Sequence, residues 1–470
     1  MDAKRHPQNF YGYIMIDQRS PSIPLVKGKE FSSPPFIRGA GGDLDNDQSS
    51  SSISLTKGKE NSSPPFTRGA GGDLNLEKQA MRSPSSLYLH IPFCKRRCFY
   101  CDFAITTGGD RLKEEYVKAL CQELALTAAI QPPPAPLQTI FFGGGTPSLL
   151  NVEQMAQIFE TITKYWAIAP DAEISLEANP DTVSLASLQG YRSLGINRIS
   201  LGAQAFQENL LAICGRGHGV QQIYSAVDLI KQAGFVNFSL DLISGLPDQT
   251  LADWQFSLQE AIALQPKHLS VYDLTIEEGT AFGKRYEAGS QPLPKESHTV
   301  EMYLAAHELL TGLGYEHYEI SNYGQAGYQA KHNLVYWHNQ EFYGVGMGAT
   351  SYIDRQRIDR PRKMRAYLEA IAAWSDGGTG FTSPRVTDAE ALMDTLMQGL
   401  RLAEGLSLKT LQERYGLELG DRVLDCLEKY QSQQWVNLIE NADDMQIKLT
   451  IPTGWLFSNV IIEDLYNILL

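Results

Sequence analysis

Three cysteines fall within eight residues, in His90-Ile91-Pro92-Phe93-Cys94-Lys95-Arg96-Arg97-Cys98-Phe99-Tyr100-Cys101-Asp102-Phe103. Thiolates separated by three and two residues can wrap one corner of a [4Fe–4S] cube, each on a different iron. The fourth iron then has no protein ligand. An open metal position of that kind can take a substrate or cofactor. The alternative for the same residues is structural zinc, with His90 or a distant residue as fourth ligand. Such sites usually carry two ligand pairs, and the sequence holds no second Cys-x-x-Cys. Phe93, Phe99, Tyr100 and Phe103 would screen a cluster from water and oxygen. Lys95, Arg96 and Arg97 read three ways: as charges that stabilise the thiolates, as a docking patch for an electron donor, or as a solvated loop. Cys121, Cys214 and Cys426 lie scattered in apolar surroundings and read as packing residues.

Positioning such a loop requires a scaffold, and the chain supplies one from Leu87 onward. Leu87–Ile91, Thr139–Phe142, Glu173–Glu177, Arg198–Leu201, Asn237–Asp241 and His268–Asp273 are short runs rich in β-branched and aromatic residues. Amphipathic stretches separate them, among them Glu114–Ala129, Val152–Tyr165, Val220–Ala233 and Leu251–Leu264. Strands alternating with helices predict an α/β fold, a partial (β/α)6 TIM-like barrel. Barrels of this type bind ligands at the C-terminal ends of their strands, and the cysteines follow the first strand directly. Residues 81–294 form this core, and 295–375 form an extension that opens on a helix over Val300–Leu313. Residues 384–470 form a small C-terminal α+β module. Helices are predicted there over Asp388–Leu402, Leu408–Tyr415 and Arg422–Gln431, followed by two short strands. The order suits a winged-helix-like module, with a plain helical appendage as the alternative.

The first eighty residues differ. Residues 22–44 recur as 52–74, offset by 30 residues with four mismatches. The unit is rich in Gly, Ser and Pro and has no amphipathic period, so it cannot bury a core and predicts a disordered extension. It reads as a tether or as a translated repetitive element, with the working protein beginning near Met81. The formal charge of −14 over 470 residues excludes nucleic acid as the main partner. No apolar run reaches the roughly 18 residues that a membrane span needs, which leaves only peripheral membrane contact open. The N-terminus lacks the apolar core of a secretory signal, and cysteines are too sparse for a disulfide scaffold, so a reducing cytoplasm is expected.

Cys-x3-Cys-x2-Cys after the first barrel strand, with an aromatic residue before the last cysteine, resembles the radical S-adenosylmethionine (SAM) superfamily. The resemblance implies one-electron cleavage of SAM by the reduced cluster, with the amino and carboxylate groups of SAM on the open iron. Phe142-Gly143-Gly144-Gly145-Thr146-Pro147 ends the second strand, where residues without Cβ admit close approach of a ligand. Glu177, Gln204 and Asp241 end the third, fourth and fifth strands. Asp241 and Gln204 suit ribose hydroxyls, Glu177 can accept from an ammonium group, and Arg216 offers a cationic fork to a carboxylate.

From about Tyr88 to Leu470 the chain further resembles the oxygen-independent coproporphyrinogen III oxidase (HemN-like) family. On its spacings, Tyr88, Tyr100, Gly144, Gly145, Thr146, Glu177, Gln204, Arg216 and Asp241 take the family's SAM-binding positions, and Thr275 a further one with a different side chain. Two features separate it from the oxidase itself. Phe103 stands where the oxidase has a fourth cysteine. His332-Asn333-Leu334-Val335-Tyr336-Trp337 reads HNxxYW, the pattern of the family's heme-chaperone branch. Tyr318–Tyr323 and Gly344–Ala349 resemble the same branch. The implied function is to bind heme and hand it to apo-hemoproteins, with the cluster, SAM and a reductant such as flavodoxin or ferredoxin in support. Decarboxylation of coproporphyrinogen III, or another radical SAM reaction on a tetrapyrrole, is the alternative. Heme needs an axial ligand, commonly imidazole. His332 is the candidate, with His338, His218 and His90 as others, and Tyr336-Trp337 between His332 and His338 reads as a pair to stack on a porphyrin face. The alternative is that His332 and Asn333 fix a loop by hydrogen bonds while Tyr336 and Trp337 pack a core.

Replacing Cys94, Cys98 or Cys101 with Ala is expected to abolish the brown charge-transfer absorbance of anaerobically reconstituted protein and to reduce bound iron. Undiminished iron and colour in the three variants would refute the ligand assignment.

Overall fold

The computed structural model describes residues 84–441 and 443–469. The repeats at 22–44 and 52–74, and the start at Met81, lie outside the described residues. Six strands run parallel: β1 (Ser86–Ile91), β2 (Leu137–Gly144), β3 (Ile168–Ala178), β4 (Arg198–Gln204), β5 (Asn237–Ser244) and β6 (His268–Asp273). Each pairs with its predecessor in chain order. The crossovers carry α1 (Asp110–Ile130), α2 (Val152–Tyr165), α3 (Leu185–Ser193), α4 (Glu208–Ile213), α5 (Val220–Gln232) and α6 (Leu251–Ala263). Several start on reciprocal caps. Asn151 and Gln154 open α2, and Thr250 and Asp253 open α6, each pair satisfying N–H groups that the first turn leaves unbonded.

Alternation along the strands separates two buried faces. Ile174, Leu176, Ile199, Leu201, Phe238, Leu240, Leu269 and Val271 join the apolar core. The intervening positions are polar yet buried: Glu173, Ser175 and Glu177, Arg198 and Ser200, Ser239 and Asp241, His268 and Ser270. Register places them side by side, and they bond across strands. Ser200 donates to Asp241 Oδ1 at 2.9 Å, Arg198 donates to Asn237 Oδ1 at 3.1 Å, and Ser239 Oγ lies 2.8 Å from His268 Nδ1. The concave face of the sheet is therefore a polar surface, reserved for something other than aliphatic filling.

The chain continues through α7 (Ala281–Arg285), α8 (Glu296–Gly312), β7 (Glu316–Glu319), β8 (Asn322–Gly324), α9 (Lys331–Trp337), β9 (Tyr343–Val345), a hairpin of β10 (Thr350–Ile353) and β11 (Gln356–Asp359), and α10 (Met364–Ser375). The large sheet has nine strands in the order β7-β8-β6-β5-β4-β3-β2-β1-β9. β1 and β6 pair with β9 and β8 rather than with each other, so the arc stays open as a partial barrel. Residues beyond 294 thus extend both edges of the core sheet. β7, β8 and β9 are too short, at three or four residues, to show a period in sequence.

Beyond Pro384 come α11 (Asp388–Gly399), β12 (Leu406–Ser407), α12 (Leu408–Tyr415), α13 (Leu417–Ser432), β13 (Val436–Asn441), β14 (Asp444–Leu449), α14 (Thr453–Leu456) and α15 (Ser458–Leu469). The first six elements, with sheet order β12-β14-β13, follow the winged-helix arrangement. Their core includes Leu396, Val423, Leu427, Ile447 and Leu465. Two main-chain bonds stitch this module to the barrel, Ile320 N–H to Arg401 O at 3.1 Å and Ala403 N–H to Tyr318 O at 3.0 Å. α13 begins at Leu417, five residues before the expected start, because Gly416 at φ +104° separates it from α12.

One buried ion pair ties α1 of the barrel to the extension that follows it. Glu123 of α1, fully buried, accepts from Arg360 Nε at 2.7 Å, Tyr367 Oη at 2.7 Å and Gly346 N–H at 2.8 Å. Removing one partner strands a buried guanidinium. Glu123→Ala is expected to cost about 3–5 kcal/mol, read as a lower urea midpoint at unchanged slope. A shift below about 1 kcal/mol would show that the pair is dispensable.

Candidate functional site

The cysteine loop leaves β1 and is clamped at once. Thr106 N–H donates to Pro92 O at 2.7 Å and Cys94 N–H to Thr106 O at 3.0 Å. Tyr116 Oη donates to His90 O at 2.5 Å, and its ring packs edge-on against Phe93. The His90 ring spans the loop base. Its Nε2 lies 2.9 Å from Ala104 O, which can only accept, so Nε2 carries the proton and Nδ1 accepts from Tyr88 Oη at 3.0 Å. On the far side Phe99 N–H donates to Cys214 O at 2.9 Å, and Phe282 N–H to Phe99 O at 2.8 Å.

The glycines ending β2 serve this loop. A Cβ on Gly144, at φ +103°, would stand 2.4 Å from the His90 ring, and one on Gly145 would stand 2.7 Å from the Pro92 carbonyl carbon. Gly145 N–H also donates to Ile91 O at 2.9 Å, and Gly144 N–H donates to Glu177 Oε2 at 3.1 Å. The close approach the glycines permit in this structure is therefore to the cysteine loop itself.

A polar chain joins two of the cysteines. Thr146 Oγ1 lies 3.5 Å from Cys94 Sγ and accepts from Asn179 Nδ2 at 3.0 Å. Asn179 Oδ1 accepts from Arg216 Nη2 at 2.5 Å, and the same nitrogen donates to Gly202 O at 2.7 Å. Arg216 Nη1 donates to Cys98 Sγ at 3.5 Å and to Tyr100 Oη at 3.4 Å. Asn179 was not singled out in the sequence. Its signal was the Asn-Pro pair closing β3, where a short polar side chain turns the chain. A Cβ on Gly202 would meet the side-chain ends of Gln204 at 2.9 Å and of Arg216 and Asn179 at 3.2 Å, so these three groups crowd the bare face of Gly202. Gln204 itself holds φ +70° at a register shift between β4 and β5. Left-handed backbone in a non-glycine residue costs energy and gathers at binding sites.

Tyr100, Thr146, Glu177, Gln204 and Arg216 thus meet at the strand C-termini around the cysteines. Asp241 lies in register with Gly202, is buried, and holds Ser200. Tyr88 sits deeper and reaches the loop through His90. Thr275 is half-buried just past β6.

The donor set fits an iron–sulfur cube. Cys94, Cys98 and Cys101 are free thiols on one pinned loop, each half-buried. A guanidinium and a hydroxyl lie against two of the sulfurs, and hydrogen bonds to sulfur tune such clusters. Burial pushes the Cys101 thiol up to about 12, so its thiolate depends on metal for charge compensation. Among the described residues no three His, Cys, Asp or Glu side chains converge on a point that one metal ion could occupy.

The candidate heme ligand sits elsewhere. His332 opens α9 on the barrel floor, where the N–H groups of Lys331 and His332 donate to Glu173 at 3.2 and 3.1 Å. Its Nδ1 lies 2.7 Å from Thr139 Oγ1 and its Nε2 2.7 Å from Tyr336 Oη, with Phe141 stacked on the ring at 5.2 Å. With no exposure and both nitrogens engaged, His332 is an anchor in this structure and presents no nitrogen to a heme. Trp337 enters the core of the C-terminal module, and Tyr336 packs on Phe342. HNxxYW therefore bolts the barrel floor to that module. His90 also has both nitrogens engaged. His338 pairs with Glu404 at 2.6 Å. His218 lies 3.3 Å from Ala203 O through Nε2, while its buried Nδ1 has no hydrogen-bond partner.

Comparison with known proteins accords with this geometry. Residues 88–261 match the radical SAM superfamily, and residues 386–442 match the HemN C-terminal domain. The heme chaperone HemW of Synechocystis sp. is 43% identical over 401 residues, spanning 82% of this chain and 96% of that protein. The chain belongs to the HemW family. HemW of Bacillus subtilis is 37% identical over 335 residues, covering 71% of this chain and 88% of its own. HemW of Escherichia coli is 42% identical over 267 residues, covering 57% and 69%. The solved structure of coproporphyrinogen III oxidase (HemN) from Escherichia coli, a radical SAM enzyme, superposes with a TM-score of 0.71 at 22% identity, covering 84% of this chain and 93% of that one. The two share a fold.

The HNxxYW anchor of this HemW-family chain has a pH signature. Burial lowers His332 to about 3 from its usual 6.5. Below pH 6.5 the unfolded chain takes up a proton at this ring that the folded chain refuses until about pH 3. Stability is therefore present above 6.5 and lost on acidification through that window, by at most about 1.4 kcal/mol per pH unit. The urea midpoint of His332→Gln is expected to fall less steeply between pH 6.5 and 4.5 than that of the wild type. Parallel profiles would show that the ring is not buried in its neutral form.

Proposed function

We propose that this protein binds heme and delivers it to apo-hemoproteins, with a [4Fe–4S] cluster on Cys94, Cys98 and Cys101 and SAM beside it. The observation that carries this reading is the 43% identity to a heme chaperone across 96% of that relative's length, which takes in the barrel and the C-terminal module alike. The matched radical SAM domain supports the cluster and SAM. Bound to the loop, the cluster would supply one electron to the sulfonium of SAM.

The chain's own residues prepare that setting. Thr146 lies within hydrogen-bond reach of the Cys94 sulfur, and Arg216 donates to the Cys98 sulfur. Asn179 bridges the two and, with Gly202 O, fixes Arg216, whose guanidinium supplies a positive charge for a carboxylate. Glu177 stands ready to accept from an ammonium group, and Asp241 and Gln204 to hold ribose hydroxyls. Gly144 and Gly145 bring this wall against the loop. Phe103 occupies the position of the oxidase's fourth cysteine and argues against decarboxylation of coproporphyrinogen III. The axial heme ligand is left unassigned, since His332 and His90 are both engaged. A flavodoxin or ferredoxin is proposed as the reductant, and the cytoplasm as the compartment. Among the described residues no helix is long and apolar enough to cross a membrane.

Anaerobically reconstituted protein is expected to give a saturable Soret band on heme titration, and to lose that heme to an apo-hemoprotein. With SAM, dithionite and coproporphyrinogen III it is expected to form no vinyl-bearing product. Absence of a stable heme complex, or accumulation of that product, would overturn the reading.

A further inference from the structure

An imidazole that is to hold heme iron must offer a bare ring nitrogen that the porphyrin can reach. Four of the chain's nine histidines, His90, His268, His317 and His332, are buried with both nitrogens engaged. The bare Nδ1 of His218 is buried. His298 is exposed on the first turn of α8, and His338 is exposed against Glu404. His6 lies outside the described residues. His307 differs from all of these, because its bonding dictates which nitrogen is bare and its position leaves the ring half-buried.

His307 stands on α8 beside β7, the edge strand of the nine-stranded sheet. A relay of two rings fixes its protons. His317 Nε2 donates to Ile320 O at 3.3 Å, since a carbonyl only accepts, so its Nδ1 is the bare nitrogen of a neutral ring. His307 Nδ1 lies 2.9 Å from that nitrogen and must donate to it. His307 Nε2 then keeps its lone pair. Burial lowers both rings from their usual value, His317 to about 3 and His307 against the opposing pull of Glu308, which favours their neutral forms. The ring behind is itself held. Tyr323 stacks on His317 at 3.9 Å, and Trp455 of the C-terminal module meets it edge-on at 4.7 Å. Donation of the second N–H to a fixed acceptor is the arrangement that sets the tautomer and orientation of metal-ligating histidines. Beside His307 the helix is apolar: Leu304, one turn earlier, is 38% exposed, and Val300 is half-buried one turn before that on the same side. Glu301 and Glu308 are exposed on the same helix, and their charge turns the propionate edge of a porphyrin away from them.

We propose that His307 is the axial ligand through which this protein holds heme iron, its Nε2 kept bare by the relay through His317 to Ile320 O. The proposal rests on the reading that the protein carries heme. On binding, the Nε2 lone pair forms a bond to iron and a water leaves it. On delivery, a ligand of the acceptor protein replaces Nε2, and no electron or proton is transferred. A half-buried ring suits that exchange, since the incoming ligand must reach the iron while the porphyrin is still held.

Reconstituted full-length wild type, His307→Gln, His307→Gly, His298→Ala and His338→Ala are titrated with ferric heme and followed by Soret absorbance and by electron paramagnetic resonance of the bound iron. Glutamine keeps an N–H for His317 Nδ1 and offers the iron no imidazole, so the fold is retained. His307→Gln is expected to bind heme about tenfold or more weakly, to lose the spectra of a nitrogen-ligated heme and to release heme faster to an apo-hemoprotein. Free imidazole is expected to restore those spectra in His307→Gly. His298→Ala and His338→Ala are expected to match the wild type, and cluster iron to be equal in all five proteins. Wild-type spectra and affinity in His307→Gln, or loss of the nitrogen signature in His338→Ala instead, would overturn the ligand and leave the heme reading standing. A wild type that forms no stable heme complex would overturn both.

Discussion

Everything at this site depends on holding eight residues of loop still. Three thiolates share one inorganic cube at less ordering cost when the backbone between them already holds its shape. The protein meets this with clamps from several directions. Main-chain bonds between residues 92, 94 and 106 close the base, the His90 ring ties β1 to Ala104, and the bare faces of Gly144 and Gly145 allow β2 to lie against it. Tyr116 reaches His90 O from α1, and it also accepts from Met347 N–H at 3.1 Å. The loop is thus built into the sheet rather than suspended from it.

The same economy runs through the barrel interior. Polar side chains line the concave face of the sheet and would be costly if left unsatisfied there. Ser200 with Asp241, Arg198 with Asn237 and Ser239 with His268 satisfy one another across strands, and the barrel floor is closed by α9 with its N–H groups on Glu173 and its histidine between Thr139 and Tyr336. Buried neutral histidines are a consequence. Burial lowers His317 and His332 alike to about 3, which suits a protein working near neutral pH and leaves it exposed to acid.

The chain belongs to the HemW family and shares its fold with HemN. Its barrel mouth gathers Tyr100, Thr146, Glu177, Gln204 and Arg216 around the cysteines. HNxxYW, read in sequence as a possible porphyrin contact, is in the structure a joint between barrel and C-terminal module. Its Tyr and Trp enter two different apolar clusters, and its His enters a third environment inside the barrel. The motif therefore packs into both neighbours at once.

Much of this was legible from the residues alone. Cysteine spacing, the glycine run and the acids and amides ending successive strands are local patterns, and strand and helix periods of two and about 3.6 residues are local as well. Composition and period therefore sufficed for the partial barrel, while the positions given to SAM along the polar ring rested on the family resemblance. Asn179 escaped because its importance lies in bridging Thr146 and Arg216, residues 33 and 37 positions away. The short edge strands β7 to β9 escaped because their existence is decided by the sheet that receives them. Both readings of His332, ligand and anchor, stood open in sequence because the bonding of its ring nitrogens is a tertiary property. The sequence by itself determined which groups are present and at what spacing along each element. Only the tertiary structure decided which of them are spent on holding the fold, because hydrogen-bond saturation and burial are properties of neighbours brought together from distant parts of the chain.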